Sequence, residues 1–232
     1  MKYLLFILLL ISTIHAKTYK FSGGEGNTVQ LVSAKILQSA YKKANIQMEP
    51  VFLQLEESLQ YSNSGLTDGE LSRIKNISDI YPNLVIVPVP LITVTAVAFS
   101  KKKNIKITKW GDLKNYDFTI VKGTKFIEKA TKDINKTLST SFKNAFKDLQ
   151  TGKTEIVVVP KLSGLKVNVE NAYNDIHIVS NALKSLKLYH FVNKKNTHLI
   201  PIITPILRTM KDSGEFEYWR KSYLNGIKQD NI

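Results

Sequence analysis

The chain has 232 residues, 43% of them hydrophobic and 22% charged, with a formal net charge of +14 at pH 7 and no cysteine. These figures describe an ordinary globular protein with one large or two small cores, and they exclude disorder, a collagen repeat and a polytopic membrane protein. Without cysteine there is no disulfide scaffold, thiolate metal site, iron–sulfur cluster or cysteine nucleophile.

The first segment in chain order reads as a leader. Lys2 precedes an apolar run from Tyr3 to Ile11, and Ile14-His15-Ala16 ends it on a small residue. This pattern predicts a signal peptide over 1–16 with cleavage after Ala16, since the run is short of the about 20 residues that span a bilayer. An uncleaved anchor is the alternative. The remaining histidines, His177, His190 and His198, include no pair at the spacing of a helical metal site.

The mature chain then alternates strands and helices. Thr18–Ser22 reads as a strand ending in Gly23-Gly24-Glu25-Gly26-Asn27, with Asn27 capping a helix and Gln30 closing a capping box. Val29, Val32, Ile36 and Ala40 share one face of that helix. Met48–Leu53 predicts a strand, Glu56–Asn63 a helix stopped at Gly65, Leu84–Val89 a buried strand, and Thr93–Ser100 a separate one. After the polar turn 101–104, Phe118–Val121 predicts a strand, with a helix from Lys125 and another over 136–149. Glu155–Val159 is a strand ended by Pro160, Ile176–Val179 is short and apolar, and Leu188–Val192 returns as a strand. The rest from Thr197 is mostly helical, with Pro205 awkward inside it and Gly214 a break. Such alternation predicts an α/β fold with mainly parallel sheets.

Two similar apolar-to-basic segments, 96–102 and 189–195, bracket about 90 residues with their own strand–helix units. Crossings there, near 96–101 and 189–194, predict two lobes: 17–97 plus 193–232, with 98–192 inserted. Two unrelated strands in one continuous sheet are the alternative. The 33 basic residues against 19 acidic are dispersed, the densest runs being Lys42-Lys43, 101–103 and Lys194-Lys195, and no nucleic-acid motif accompanies them.

The stretch Asn63-Ser64-Gly65-Leu66-Thr67-Asp68-Gly69-Glu70-Leu71-Ser72-Arg73-Ile74, running on to Tyr81-Pro82-Asn83-Leu84 and Val87-Pro88, resembles the signature of bacterial extracellular solute-binding proteins of family 3. Phe99-Ser100-Lys101-Lys102, Leu113 through Gly123-Thr124, Leu149 to Lys153 through Val159, and Met210 to Phe216 resemble further parts of that family in the same order. The resemblance covers almost all of the mature chain. It implies the type II periplasmic binding fold, two lobes each with a mostly parallel sheet flanked by helices and a ligand cleft between them.

The same resemblance implies site residues. Arg73 takes the place of a carboxylate clamp, which a guanidinium fork fits; a surface arginine paired with Glu70 or Asp79 is the alternative. Gly123-Thr124 matches the second-lobe turn whose helix amides receive an anionic group, a plain strand–helix turn capped by Thr124 being the alternative. Amino-acid binders place an acid at the end of the strand that here stops at Pro160-Lys161, a departure that leaves Glu25 or Glu57 to supply the counter-charge. Lys125 and Lys161 lend the cleft positive potential. The implied function is a periplasmic or secreted, monomeric, non-enzymatic binding protein. It captures a small polar ligand, anionic or zwitterionic, by hinge closure and delivers it to an ABC permease in the inner membrane, without cofactor, metal or nucleic acid. A sensory module for a membrane receptor and a periplasmic enzyme on the same fold are the alternatives.

Overall fold

The computed structural model describes residues 17–229, with side chains as far as Tyr223, so the expected leader lies outside the described residues. The elements in order are β1 (Thr18–Gly24), α1 (Thr28–Lys43), β2 (Gln47–Leu53), α2 (Leu55–Ser64), β3 (Gly69–Ile74) and β4 (Leu84–Ser100). Then come β5 (Phe118–Val121), α3 (Lys125–Ala130), β6 (Thr137–Ser139), α4 (Phe142–Gln150), β7 (Ile156–Pro160), α5 (Lys161–Glu170) and β8 (His177–Ile178). The chain closes with β9 (Lys184–Asn193), α6 (Leu199–Asp212) and α7 (Glu215–Gln229). Among the described residues no helix is long and apolar enough to cross a membrane.

The strands lie in the order β2-β1-β3-β9-β4-β7-β5-β6, with β8 beside β4. β1 is parallel to β2 and β3, and β5 is parallel to β6 and β7. Antiparallel pairing is confined to the middle, where β9 joins β3 and β4, and β4 joins β7 and β8. Two parallel lobes are thus joined by a long antiparallel ribbon. β4 is a single strand: Leu84–Val89 and Thr93–Ser100 are continuous, and Pro88 and Pro90 are absorbed by irregular register against β9 between Ile86 and Ile92. Proline removes a ladder donor, and a register slip is where that loss is tolerated.

The sheet continues through the ribbon; it is the cores that separate. Val94 and Leu188 pack in the first lobe with Phe21 and Ile36 and with Leu199, Ile203 and Leu207 of α6. Ala96–Phe99 pack instead with Ile156–Val159 in the second. The changeover falls at Thr95 going out and at 184–185 coming back, because residues 186–193 pair with β3 and the first half of β4. We propose that the chain returns there rather than at 189–194, so that 96–185, in place of 98–192, forms the middle lobe.

Several local expectations change. Asn27 caps α1 by accepting from the Val29 and Gln30 amides, but Gln30 does not reach back to it: its side chain turns inward to Gly24, Glu70 and Ser72. Residues 136–149 are not one helix, since β6 fills their start and α4 begins after Ser141, whose hydroxyl accepts from the Asn144 amide. Pro205 sits inside α6 without ending it.

Candidate functional site

The lobes meet where α2 begins and where β5 turns into α3. Gly123, at φ +88°, occupies the left-handed region, and a Cβ there would lie 2.6 Å from the Glu56 nitrogen and the Leu55 carbonyl carbon. Glycine thus allows the second-lobe turn to touch the first-lobe backbone. Two polar contacts cross beside it. Arg73 Nη1 donates to the Gly123 carbonyl at 3.2 Å, and Lys125 Nζ pairs with Glu56 at 2.6 Å. On the α1 side, the Thr28 amide donates to Ser163 Oγ at 3.2 Å.

Arg73 is buried and heavily engaged. Its Nε donates to Glu70 at 2.7 Å, and Nη2 donates to the Leu55 carbonyl and Ser58 Oγ at 2.9 and 2.6 Å. Glu70 is fully buried and also meets Gln30 Nε2 at 3.0 Å and the hydroxyls of Ser22, Ser58 and Ser62 at 3.2–3.3 Å. Burial pushes the Glu70 carboxyl up, and the Arg73 guanidinium and these donors pull it back only in part. Arg73 is therefore neither a surface arginine nor an open clamp: its partner is Glu70, and one Nη1 contact faces the other lobe.

The second-lobe turn is likewise occupied. The Gly123 amide donates to Glu128 at 2.6 Å and the Thr124 amide to the Val121 carbonyl at 3.1 Å, so these two amides are not waiting for an anion. Thr124 precedes α3 but its side chain does not cap it. Lys125 is shared by Glu56 and Glu128, at 2.6 and 3.1 Å. Burial pushes the Lys125 ammonium down, but the two carboxylates outweigh that and hold it above its ordinary value. For Glu56, burial pushes up, while Lys125 and the Tyr81 hydroxyl outweigh it and hold the carboxyl below its usual range.

Between these contacts remains a cavity of about 40 Å³, lined from the first lobe by Asn27, Gln30, Ser72 and Arg73 and from the second by Thr124 and Lys125. Two of its lining residues, Ser72 and Thr124, carry buried hydroxyls with no protein hydrogen-bond partner among the described residues. One comes from each lobe.

Of the residues expected from the sequence, Arg73, Thr124 and Lys125 come together here. Glu25 does not: it is exposed and lines a second groove of about 440 Å³ with Ser141 and Phe142. Lys161 is exposed and lines a third, of about 550 Å³, with Val32 and Phe216. Glu57 is half-buried, and its neighbour Glu56 is the α2 carboxylate that reaches the second lobe. The sequence reading missed Glu56, Ser72 and Glu128. A signal for Glu128 was present, since Lys125 and Glu128 are one helical turn apart. Among the described residues no three His, Asp or Glu side chains gather to hold a metal ion.

No family model matches the chain. A Shewanella oneidensis protein described as uncharacterized is 26% identical over 166 residues, covering 68% of this chain and 62% of that protein, so the match spans less than two thirds of the relative's length. Among solved structures, a mutant of the T. maritima ArgBP superposes with a TM-score of 0.75 at 16% identity, covering 90% of this chain and 95% of that one. A histidine kinase sensor domain with similarity to periplasmic binding proteins gives 0.76 at 14%, covering 90% and 96%. An amino acid ABC transporter substrate-binding protein from Streptococcus pneumoniae, bound to L-arginine, gives 0.73 at 14%, covering 90% and 95%. At 14–16% identity these likenesses show the fold: the chain has the two-lobed type II periplasmic-binding-protein architecture.

Proposed function

We propose that the protein binds a small polar ligand between its lobes and releases it by hinge opening, without catalysing a reaction. The observation that carries this reading is the cavity at the junction of the lobes, lined from one lobe by Ser72 and Arg73 and from the other by Thr124 and Lys125. A buried hydroxyl without a partner costs about 1–3 kcal/mol, and a group that satisfies both Ser72 and Thr124 recovers that cost only when the lobes are closed. A cavity of about 40 Å³ has room for little more than a water, so a ligand enters by parting the lobes.

Parting them frees Arg73 Nη1 from Gly123 and separates Lys125 from Glu56. The exposed ends are then two cations, Arg73 and Lys125, and the Glu56 carboxylate. A zwitterion answers both charges, which makes it the favoured class within the anionic or zwitterionic range. The likeness to substrate-binding proteins supports delivery from the periplasm to an ABC permease, and the sensor-domain likeness supports a second reading in which a membrane receptor reads the closed form. Uptake of the labelled ligand by cells with and without the gene separates the two.

The test is a thermal-shift screen of amino acids, organic acids and sugars on protein refolded to remove retained ligand. A ligand at about 100 times its dissociation constant adds about 2.7 kcal/mol of stability. The hit is then titrated calorimetrically against Ser72→Ala and Thr124→Ala. Each variant is expected to bind about tenfold more weakly, the equivalent of about 1.4 kcal/mol. Unchanged affinity in both would place the ligand elsewhere and remove the proposal.

A further inference from the structure

Beside the cleft, a groove of about 600 Å³ crosses the hinge. That volume lies within the range of about 300–1,000 Å³ typical of small-molecule sites. Three aromatic side chains line it: Trp110 and Phe126 from the second lobe and Tyr189 from β9. All three are half-buried, so each offers a ring surface while its other face is held by a core.

The charge along the groove has one sign. Lys75, Lys129, Lys184 and Lys187 line it, and no aspartate or glutamate does. All four lysines are exposed, and among the described residues none of them is in an ion pair. This contrasts with the cleft, where Arg73 and Lys125 are neutralised by Glu70, Glu56 and Glu128.

We propose that this groove is a second binding site, selective for a planar aromatic ring bearing two or more acidic groups. Aromatic walls favour a flat ring by offset or edge-on stacking. Unopposed ammonium groups on those walls concentrate a polyanion and discriminate against neutral and cationic rings. The site is distinct from the cleft, although Ile74 and Phe126 line both. Its polar contacts share no residue with the Ser72 and Thr124 hydroxyls.

The probe is naphthalene dicarboxylate, titrated by calorimetry into the full chain, with its neutral dimethyl ester as control. Saturable binding is expected for the dianion, roughly tenfold tighter than for the ester, and weakening with added salt. The double variant Lys129→Glu with Lys184→Glu is expected to bind roughly tenfold more weakly. Both positions are exposed, so an unchanged thermal midpoint confirms folding. Ser72→Ala with Thr124→Ala is expected to leave probe binding intact. The proposal is overturned by no saturable binding at millimolar probe, by equal binding of the ester, by an unaffected lysine variant, or by loss of binding in the cleft variant.

Discussion

Arg73→Ala should act first on stability. The substitution removes the guanidinium 2.7 Å from a fully buried carboxylate and withdraws donors from the Leu55 and Gly123 carbonyls and Ser58 Oγ. Breaking a buried ion pair by removing one partner costs about 3–5 kcal/mol, because the remaining charge stays desolvated. A chain of this length loses about 2–4 °C per kcal/mol, so the midpoint should fall by about 6–20 °C. Urea unfolding reads the loss directly, with an unchanged slope showing that both states keep their exposure. Arg73→Met combined with Glu70→Gln should recover much of the loss, since it removes both charges together. A loss below about 1 kcal/mol for Arg73→Ala would refute the reasoning, because Glu70 would then be neutral or solvated rather than a buried charge held by Arg73. For the same reason a binding defect in Arg73→Ala would mix clamp and scaffold, and the two cleft hydroxyls give the cleaner readout of ligand contact.

Two further outcomes follow from the geometry. Burial lowers the His190 imidazole to about 4, against partial opposition from backbone groups of Glu70 and Leu71. The unfolded chain takes up a proton near pH 6.5 that the fold refuses, so stability should be full above about pH 6.5 and fall by up to about 3 kcal/mol as pH drops to about 4. Urea midpoints from about pH 7 to about pH 5 in the parent and His190→Gln check this, and an identical slope in both would exclude His190 as its source. Gly123→Ala should hold the lobes apart, since its Cβ would meet the Glu56 nitrogen at 2.6 Å. Small-angle scattering should show a larger radius of gyration than the parent, and an unchanged radius would mean that the turn, not the lobes, gives way.

Much of the architecture is legible in the sequence because apolar periodicity reports burial directly. Val29, Val32, Ile36 and Ala40 lie on the buried face of α1, and Phe118–Val121 is a fully buried strand. The signals failed where tertiary pairing overrides local chemistry. Leu84–Val89 and Thr93–Ser100 read as two strands, yet β9 holds β4 as one through Pro88 and Pro90. Residues 137–139 read as the start of the helix over 136–149, but alignment beside β5 makes them a strand. Within the cleft, the family resemblance pointed to Arg73, Thr124 and Lys125. Which carboxylates oppose them depends on how α2 meets the second lobe, a long-range contact that periodicity does not encode.

That opposition changes how the cleft works. Each cation assigned to a ligand already has a protein acid, Glu70 for Arg73 and Glu56 with Glu128 for Lys125. Glu70 and Glu128 come from the same lobe as the cation they face and remain when the lobes part; Glu56 comes from the opposite lobe and leaves. The Glu56–Lys125 contact is therefore the ion pair at this site that hinge motion makes or breaks. A ligand must compete with it, and its apparent affinity is the intrinsic affinity multiplied by the fraction of molecules already open. Closure over an empty cavity and capture of a ligand draw on the same contact, so the strength of that ion pair sets the threshold for binding.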